Sequence, residues 1–351
     1  MKKIVILLPQ LSSFPIGGYK VIYDYANILS AKNDVSIVHI SNLKYARYKH
    51  NVWLRWMYAN LIYYSNRWRW YPLQEKVKVS IVKELSSQII QKNDLVIATF
   101  WATARSLMDL NVDRNKVIYF IQHFETWAGE YNNVTSTYQY GFKNVVIASW
   151  LKDKIKEVGG RVDRIVENGI NTNDFYITSK IENRKKLCIM YHEEKWKGTK
   201  EAISALKILK NKYPNIEIIA FGAYKKSSNL PEWISYKCKP SKEELRDIYN
   251  QSAIFISTSW YEGFGLTGPE AMACGCALVT TDNGGSHDYA FDKLTALVVK
   301  PRDVSAIVEA VSCLIENDSI RVKLAYEGEK YVRLNLNIDI ARRKICELIG
   351  D

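Results

Sequence analysis

The N-terminal half of the chain alternates short apolar runs with segments whose apolar residues recur at helical spacing. Strand-like runs at 2–9 and 34–40 enclose residues 17–32, where Val21, Ile22 and Tyr25 begin a helical apolar face. Further β-branched runs follow at 94–100, 116–122, 144–150 and 163–169. This alternation predicts a mainly parallel sheet flanked by helices.

The same pattern starts again in the C-terminal half. A strand-like run at 185–192 is followed by a helical segment at 197–213 and a strand-like run at 215–222 that ends in glycine. Further strands are predicted at 232–237, 253–258 and 276–281, with helices at 241–251 and 268–274. The two blocks join near "ENGINTNDF", so the sequence predicts two doubly wound Rossmann-like domains, 1–170 and 171–334, facing across a cleft.

Composition limits the class of protein. With 351 residues, 47% hydrophobic and 25% charged, the chain has the composition of a soluble globular protein. No apolar run approaches the roughly 18 residues that span a bilayer, and "IVILLP" is too short for a secretory segment, so a cytoplasmic location is expected. The six cysteines contain no C-x-x-C pair and are expected to be reduced apolar fillers rather than metal ligands.

The formal charge of +12 indicates an anionic partner: nucleic acid, a membrane surface or a phosphorylated substrate.

A glycine-rich turn narrows that choice of partner. The stretch "EGFGLTGPEAMACG" places Glu262 and Glu270 on either side of a predicted helix start. Glycines let the backbone approach a ligand, and amides at a helix N-terminus favour phosphate. Carboxylates accept hydrogen bonds from sugar hydroxyls. In the alternative interpretation, Glu270 complements the helix dipole and Glu262 is a solvated loop charge.

The longer string at 262–285 closely resembles the donor-site signature of retaining glycosyltransferases of family four, which have the GT-B fold. The resemblance implies that Glu262 contacts the donor sugar and Glu270 the nucleotide ribose. It also implies that the backbone between them holds the diphosphate, through Gly263, Phe264, Gly265, Leu266 and Thr267.

Other stretches resemble the same family in order and spacing. "PIGGYKVIYDYANILS" places Gly17 and Gly18 near the diphosphate or acceptor, and "YFIQHFE" places His123 and Glu125 in the cleft as catalytic residues. "KWKGTKEAISALKIL" assigns donor phosphate binding to Lys197. The fold further implies that backbone around Lys237 meets the base, and that a final helix at about 335–351 packs back on the N-terminal domain.

The chain departs from the family at the phosphate clamp. Many members carry an arginine before the K-G pair, and the aligned position here falls on Tyr191 or His192. Lys195 or Lys197 would then supply the charge, and His192 would contribute only if protonated. No D-x-D cluster follows a strand, so we expect no metal and no cofactor, with amides and Lys197 stabilising the departing diphosphate. The resemblance implies front-face substitution rather than a double displacement.

A basic aromatic stretch suggests where the acceptor lies. Between Val35 and Gln74 there is no Asp or Glu, and Lys44, Arg47 and Lys49 precede a tryptophan-rich run. Cations with amphipathic rings are typical of a membrane-interface element. The predicted membrane residues are Trp53, Arg55, Trp56, Arg67, Trp68, Arg69 and Trp70. Two alternatives are stacking on single-stranded nucleic acid and a basic helix whose tryptophans pack on their own domain.

The sequence therefore predicts a cytoplasmic glycosyltransferase bound peripherally to the inner face of the membrane. It would move a sugar from a nucleotide-sugar donor to a lipid-linked or growing glycan in bacterial surface polysaccharide synthesis, with no nucleic-acid partner. Two alternatives stay open: a transferase acting on a soluble small acceptor, and a catalytically weakened sugar-nucleotide-binding subunit of a larger assembly.

Overall fold

The computed structural model describes residues 1–46, 51–227 and 229–350 and divides the chain into two compact units. The first unit comprises Met1–Glu167 together with the residues from Arg342 onward, and the second comprises Asn168–Ala341. The sequence pattern placed the boundary three residues later, at 170.

The first unit contains, within its described residues, one sheet of seven parallel strands in the order β3-β2-β1-β4-β5-β6-β7. The strands are β1 Lys3–Leu8, β2 Asp34–Ile40, β3 Lys78–Val82, β4 Leu95–Ala98, β5 Val117–Ile121, β6 Lys143–Val146 and β7 Arg164–Ile165. The helices are α1 Gly17–Leu29, α2 Val52–Tyr64, α3 Ser87–Gln91, α4 Trp101–Asp109, α5 Tyr131–Thr137 and α6 Ser149–Glu157.

The second unit repeats this architecture, with six parallel strands among its described residues in the order β10-β9-β8-β11-β12-β13. The strands are β8 Lys186–Met190, β9 Ile218–Gly222, β10 Ile234–Cys238, β11 Ser252–Ser257, β12 Ala277–Thr281 and β13 Ala296–Val299. The helices are α7 Thr199–Lys212, α8 Lys242–Gln251, α9 Thr267–Ala273, α10 Val304–Glu316 and α11 Asp318–Asn335. The predicted doubly wound α/β fold is confirmed.

Each sheet is covered by helices, so its central strands are buried on both faces. Residues of β1 from Ile4 to Leu8 are at most 1% exposed, and β12 is buried throughout. Two-sided burial explains why these strands appear as continuous apolar runs instead of alternating patterns. The half-buried edge strands β3 and β13 have weaker signals, and neither they nor α10 and α11 were assigned from the sequence.

The last helix, α12 (Ile338–Ile349), starts in the second unit and ends in the first. Lys143 of β6 donates through Nζ to the Leu348 carbonyl at 3.0 Å, and Arg164 of β7 pairs with Glu347. These contacts attach the end of the chain to the edge of the first sheet.

No helix among the described residues is long and apolar enough to cross a membrane.

Candidate active site

Topology brings two loops of the second unit together. The strand order reverses between β8 and β11, which opens a crevice at their carboxyl ends where ligands bind in doubly wound sheets. Hydrogen bonds join the loops that follow these strands. Thr258 donates through Oγ1 to the Gly198 carbonyl at 2.8 Å, and the Trp260 amide donates to the Trp196 carbonyl at 2.7 Å.

This pairing places Lys197 against Glu262. Lys197 Nζ lies 2.7 Å from Glu262 Oε1, and the two side chains are only 16% and 12% exposed. Ser259 donates through Oγ to the same Oε1 at 2.6 Å, while none of the described residues donates to Oε2. The carboxylate is thus anchored through one oxygen, and the other oxygen can accept a hydrogen bond from a ligand hydroxyl.

The glycine-rich turn leads from Glu262 into α9. Gly265 has φ +81°, a left-handed conformation that favours glycine, and Tyr289 donates to its carbonyl at 3.2 Å. Among the described residues, no acceptor takes the amides of Gly265, Leu266 and Thr267. Such amides can bind an anion. The predicted backbone contacts are therefore geometrically available.

Two other predicted members of this turn are buried. The Phe264 side chain is 2% exposed and packs against the Tyr289 ring, with 5.6 Å between ring centroids. Only its backbone could meet a ligand. Glu270, in the first turn of α9, is 5% exposed, and its amide donates to the Leu266 carbonyl at 3.0 Å. Gly263 lies between Glu262 and Phe264 in the same turn. Ribose binding by Glu270 stays a prediction.

The three side chains considered for donor phosphate binding, His192, Lys195 and Lys197, lie in different environments. Burial lowers the pKa of His192, and the nearby positive charge of Lys197 lowers it further. Its Nδ1 also accepts a hydrogen bond from the Glu194 amide at 3.1 Å. Both effects favour the neutral imidazole, which argues against His192 supplying the missing charge. Lys195 is exposed, whereas Lys197 is held over the Trp196 ring at 4.2 Å.

Lys237 has a partner away from these loops. It lies on β10, and its ammonium group pairs with Glu244 in the first turn of α8. About half of each side chain is exposed. The structure thus gives Lys237 a surface ion pair, and a role for its backbone beside the base stays a prediction.

In the first unit, two predicted stretches meet. Gly17 and Gly18 open α1, and a Cβ on Gly18 would lie 3.4 Å from the Gln122 side chain, just after β5. The adjacent His123 is half-buried, and its ring makes an edge contact with Trp150 at 5.7 Å between centroids. The glycine loop and the end of β5 are thus neighbours, although their predicted ligand contacts stay predictions.

Glu125 lies in the core of the first unit. The sequence grouped it with His123 as catalytic, but it is 6% exposed, and its Oε2 accepts the Trp101 amide at 2.7 Å, at the start of α4. Burial raises its pKa to about 8, although the Trp101 hydrogen bond opposes the shift. The carboxyl thus caps the start of α4 from within the core, and its predicted catalytic role stays a prediction.

The raised pKa gives a testable pH dependence. From about 4.5 to about 8 the folded protein binds a proton at Glu125 that the unfolded chain releases, so stability falls as pH rises through this window. Glu125→Gln keeps an acceptor for the Trp101 amide and removes the titration. We expect wild type and variant to unfold at similar temperatures near pH 5 and the variant to unfold at the higher temperature near pH 9. Parallel pH profiles of the melting temperature would contradict this.

The predicted membrane residues divide by exposure. Arg55 and Trp68 are 6% and 7% exposed: Arg55 donates to Asn42 Oδ1 at 2.9 Å, and Trp68 stacks on Tyr63 at 5.9 Å between centroids. This burial does not support headgroup contact by either side chain. Membrane contact stays a prediction for the rest of the set: Trp53, Trp56, Arg67, Arg69 and Trp70. Arg47 and Lys49 lie outside the described residues.

Several site residues were missed from the sequence. Ser259 precedes Glu262 by three residues, but a serine after a strand is too common to single out. Beside it, Trp196 stacks on Tyr261 with ring centroids 5.2 Å apart, and the Arg302 guanidinium lies 3.7 Å from the centroid of Trp260. In the sequence, aromatic residues adjoin the lysines in "KWKG" and Glu262 in "SWYEG". This pattern could have indicated that aromatic side chains lie beside the site.

The second unit resembles known glycosyltransferases in sequence. Residues 171–331 match the family model described as Glycosyl transferases group 1. The capsular polysaccharide biosynthesis glycosyltransferase CapM of Staphylococcus aureus is 27% identical over 144 residues, covering 39% of this chain and 38% of that protein. An uncharacterized glycosyltransferase of Methanocaldococcus jannaschii is 28% identical over 210 residues, covering 56% of this chain and 52% of that protein. The matched stretches thus span about half or less of these relatives.

A solved structure resembles the whole chain. Anabaena HepE, crystallised in complex with UDP-glucose, has a TM-score of 0.75 at 14% sequence identity, and the alignment covers 100% of both chains. At 14% sequence identity, this similarity is evidence for a shared fold only. The chain therefore has the GT-B fold, and its residues 171–331 match the family model of glycosyl transferases group 1.

Proposed function

We propose that this protein is a retaining glycosyltransferase that moves a sugar from a nucleoside diphosphate donor to a lipid-linked or growing glycan. The observation that carries the proposal is the Lys197–Glu262–Ser259 cluster next to the open amides of the Gly265 turn. It combines a cation and backbone donors for a diphosphate with a fixed carboxylate for a sugar hydroxyl. The UDP-glucose complex of HepE supports a donor of this class.

The hydrogen bonds of Glu262 favour a binding role over a nucleophilic one. Its Oε1 already accepts from Lys197 and Ser259, which lowers its nucleophilicity. We therefore propose front-face substitution. The bond between the anomeric carbon and the diphosphate oxygen breaks, the acceptor oxygen bonds to that carbon on the same face, and the acceptor proton passes to the departing diphosphate. Lys197 and the turn amides stabilise the developing negative charge without a metal ion.

The acceptor and the location are inferred from a relative and from the charge of the chain. The similarity to CapM, a glycosyltransferase of capsular polysaccharide biosynthesis, favours a glycan acceptor of a cell-surface polymer. We propose that this acceptor is lipid-linked and that the protein meets it as a peripheral protein on the cytoplasmic face of an anionic membrane, through its first unit. The formal charge of +12 favours such a surface.

A thermal-shift screen tests the donor site. Purified protein is heated with UDP, GDP, dTDP or CMP and with their common sugars, without added metal. We expect one nucleoside diphosphate to raise the unfolding temperature selectively, because a ligand that binds only the folded state stabilises it. The nucleotide sugar of that nucleoside diphosphate, with the sugar radiolabelled, is then used to measure transfer to a lipid-linked acceptor. Stabilisation without turnover would favour a binding subunit, and no shift with any nucleotide would contradict the proposed donor site.

A further inference from the structure

The outward side of α2 carries a continuous apolar surface. Large hydrophobic side chains along it are between 50% and 79% exposed, and we call them together the α2 outer face: Trp53, Leu54, Met57, Tyr58, Leu61 and Tyr64. At 3.6 residues per turn they lie within a sector of about 140°. The buried residues Arg55, Ala59 and Ile62 occupy the opposite side. Both the outward and the inward side of α2 are therefore largely apolar, but only the inward side is buried by the rest of the protein.

An apolar surface of this size requires an explanation. A helix that is hydrophobic all round is normally buried, and contiguous exposed apolar patches on soluble proteins commonly mark interaction sites. Substitution of these residues by polar ones would cost the fold little, because they contact solvent. Their presence is therefore better explained by a partner than by the stability of the unit.

The surrounding charge identifies the kind of partner. Arg67 and Arg69 are exposed just after the end of α2, Lys44 is exposed before it in the sequence, and no acidic residue occurs between Val35 and Gln74. A second copy of this chain docking about a two-fold axis would bring this cationic region against itself, which is unfavourable. An anionic lipid surface supplies the opposite charge at the rim and an apolar phase for the centre. Trp and Tyr are also the residues enriched at membrane interfaces.

We propose that the α2 outer face is a membrane-docking surface, with α2 lying parallel to an anionic bilayer and its apolar side chains at the boundary between headgroups and acyl chains. Lys44, Arg67 and Arg69 bind the headgroups. This proposal deepens the proposed function, on which it rests for its purpose of meeting a lipid-linked acceptor. Of the membrane residues predicted from composition, it uses Trp53, Arg67 and Arg69, and it omits Arg55 and Trp68 because they are buried.

Co-sedimentation with vesicles tests the proposal on the full chain. The docking variant combines Trp53→Gln, Leu54→Gln, Met57→Gln and Leu61→Gln. A matched control combines Ile208→Gln, Leu294→Gln, Ile320→Gln and Leu334→Gln, which are also exposed, at 42% to 54%, but lie in the second unit. Vesicles contain phosphatidylcholine alone or phosphatidylcholine with phosphatidylglycerol. We expect wild type and control to sediment with the anionic vesicles, less so at high salt, and the docking variant to partition at least about tenfold more weakly.

Three results would overturn the proposal. The first is failure of the wild type to bind anionic vesicles, and the second is equal binding by wild type and docking variant. The third is light scattering that shows a lipid-free dimer of the wild type and a monomer of the docking variant, which would assign the surface to a second copy. Nucleotide-induced thermal stabilisation should be the same in both variants. A failed donor site and a failed docking surface are thereby distinguished.

Discussion

Lys197→Ala is expected to reduce kcat/KM for sugar transfer by about 10²–10³-fold, the range for removal of one preorganised electrostatic group. Lys197 is a half-buried cation beside the turn amides, and it contacts Glu262 at 2.7 Å. Lys195→Ala is the matched control, because Lys195 has the same charge two residues away and is exposed. The control should retain nearly full activity. Equal losses in both variants would indicate a diffuse charge effect and contradict a specific role for Lys197.

A double-mutant cycle separates two tasks of Lys197. If it only positions Glu262, Lys197→Ala should leave nucleotide binding unchanged, both with Glu262 and with Glu262→Gln present. If it binds the diphosphate, Lys197→Ala should weaken nucleotide binding, measured by calorimetry, on both backgrounds. We expect the second result, with Glu262→Gln abolishing transfer while nucleotide binding persists. Loss of nucleotide binding in Glu262→Gln alone would overturn the assignment of Glu262 to the sugar.

Gly198→Ala is expected to destabilise the second unit by about 3–4 kcal/mol, combining left-handed strain with overpacking. Gly198 has φ +68°, and a Cβ there would lie 1.9 Å from the Thr258 carbonyl oxygen. The loops after β8 and β11 would have to separate, which would also pull Lys197 away from Glu262. Thermal unfolding should show a decrease of about 10 °C in the melting temperature, with loss of nucleotide-induced stabilisation.

Gly159→Ala controls for the backbone strain alone. Gly159 also has a positive φ, +77°, but a Cβ there would lie 3.5 Å from the nearest atom, in the side chain of Gln139. We expect a cost of about 1–2 kcal/mol and unchanged nucleotide binding. Similar destabilisation by both substitutions would show that the close contact between Gly198 and Thr258 is not important.

Local patterns made the fold and half of the site predictable. Central strands such as β1 and β12 are buried on both faces, so their apolar runs are continuous and easily recognised. The turn from β11 into α9 is likewise local, since Glu262, Gly265 and Glu270 lie within nine residues of one another. A glycine-rich turn and its flanking carboxylates can therefore be identified before any tertiary contact is known.

Contacts between distant segments could not be predicted in this way. Lys197 and Glu262 are 65 residues apart, and only the adjacency of β8 and β11 in the sheet joins their loops. The same adjacency lets Gly198 approach Thr258, which no local pattern reveals. The hydrogen bond from Ser259 to Glu262 could not be predicted either, because it depends on where the Glu262 carboxylate lies in the folded protein.

Burial of single side chains was also decided by tertiary structure. Composition marked the stretch around α2 as basic and aromatic, but which residues face solvent depends on how the helix packs on its sheet. That packing buries Arg55 and Trp68 and leaves Trp53 exposed. Glu125 followed a strand end in a suggestive motif, and only the position of α4 turned its carboxyl into the partner of the Trp101 amide.

The sequence by itself determined the elements, the repeated doubly wound pattern and the residue types of the site, because these depend on neighbours along the chain. The tertiary structure decided which of those residues meet and which are covered, because both depend on segments that are distant in sequence.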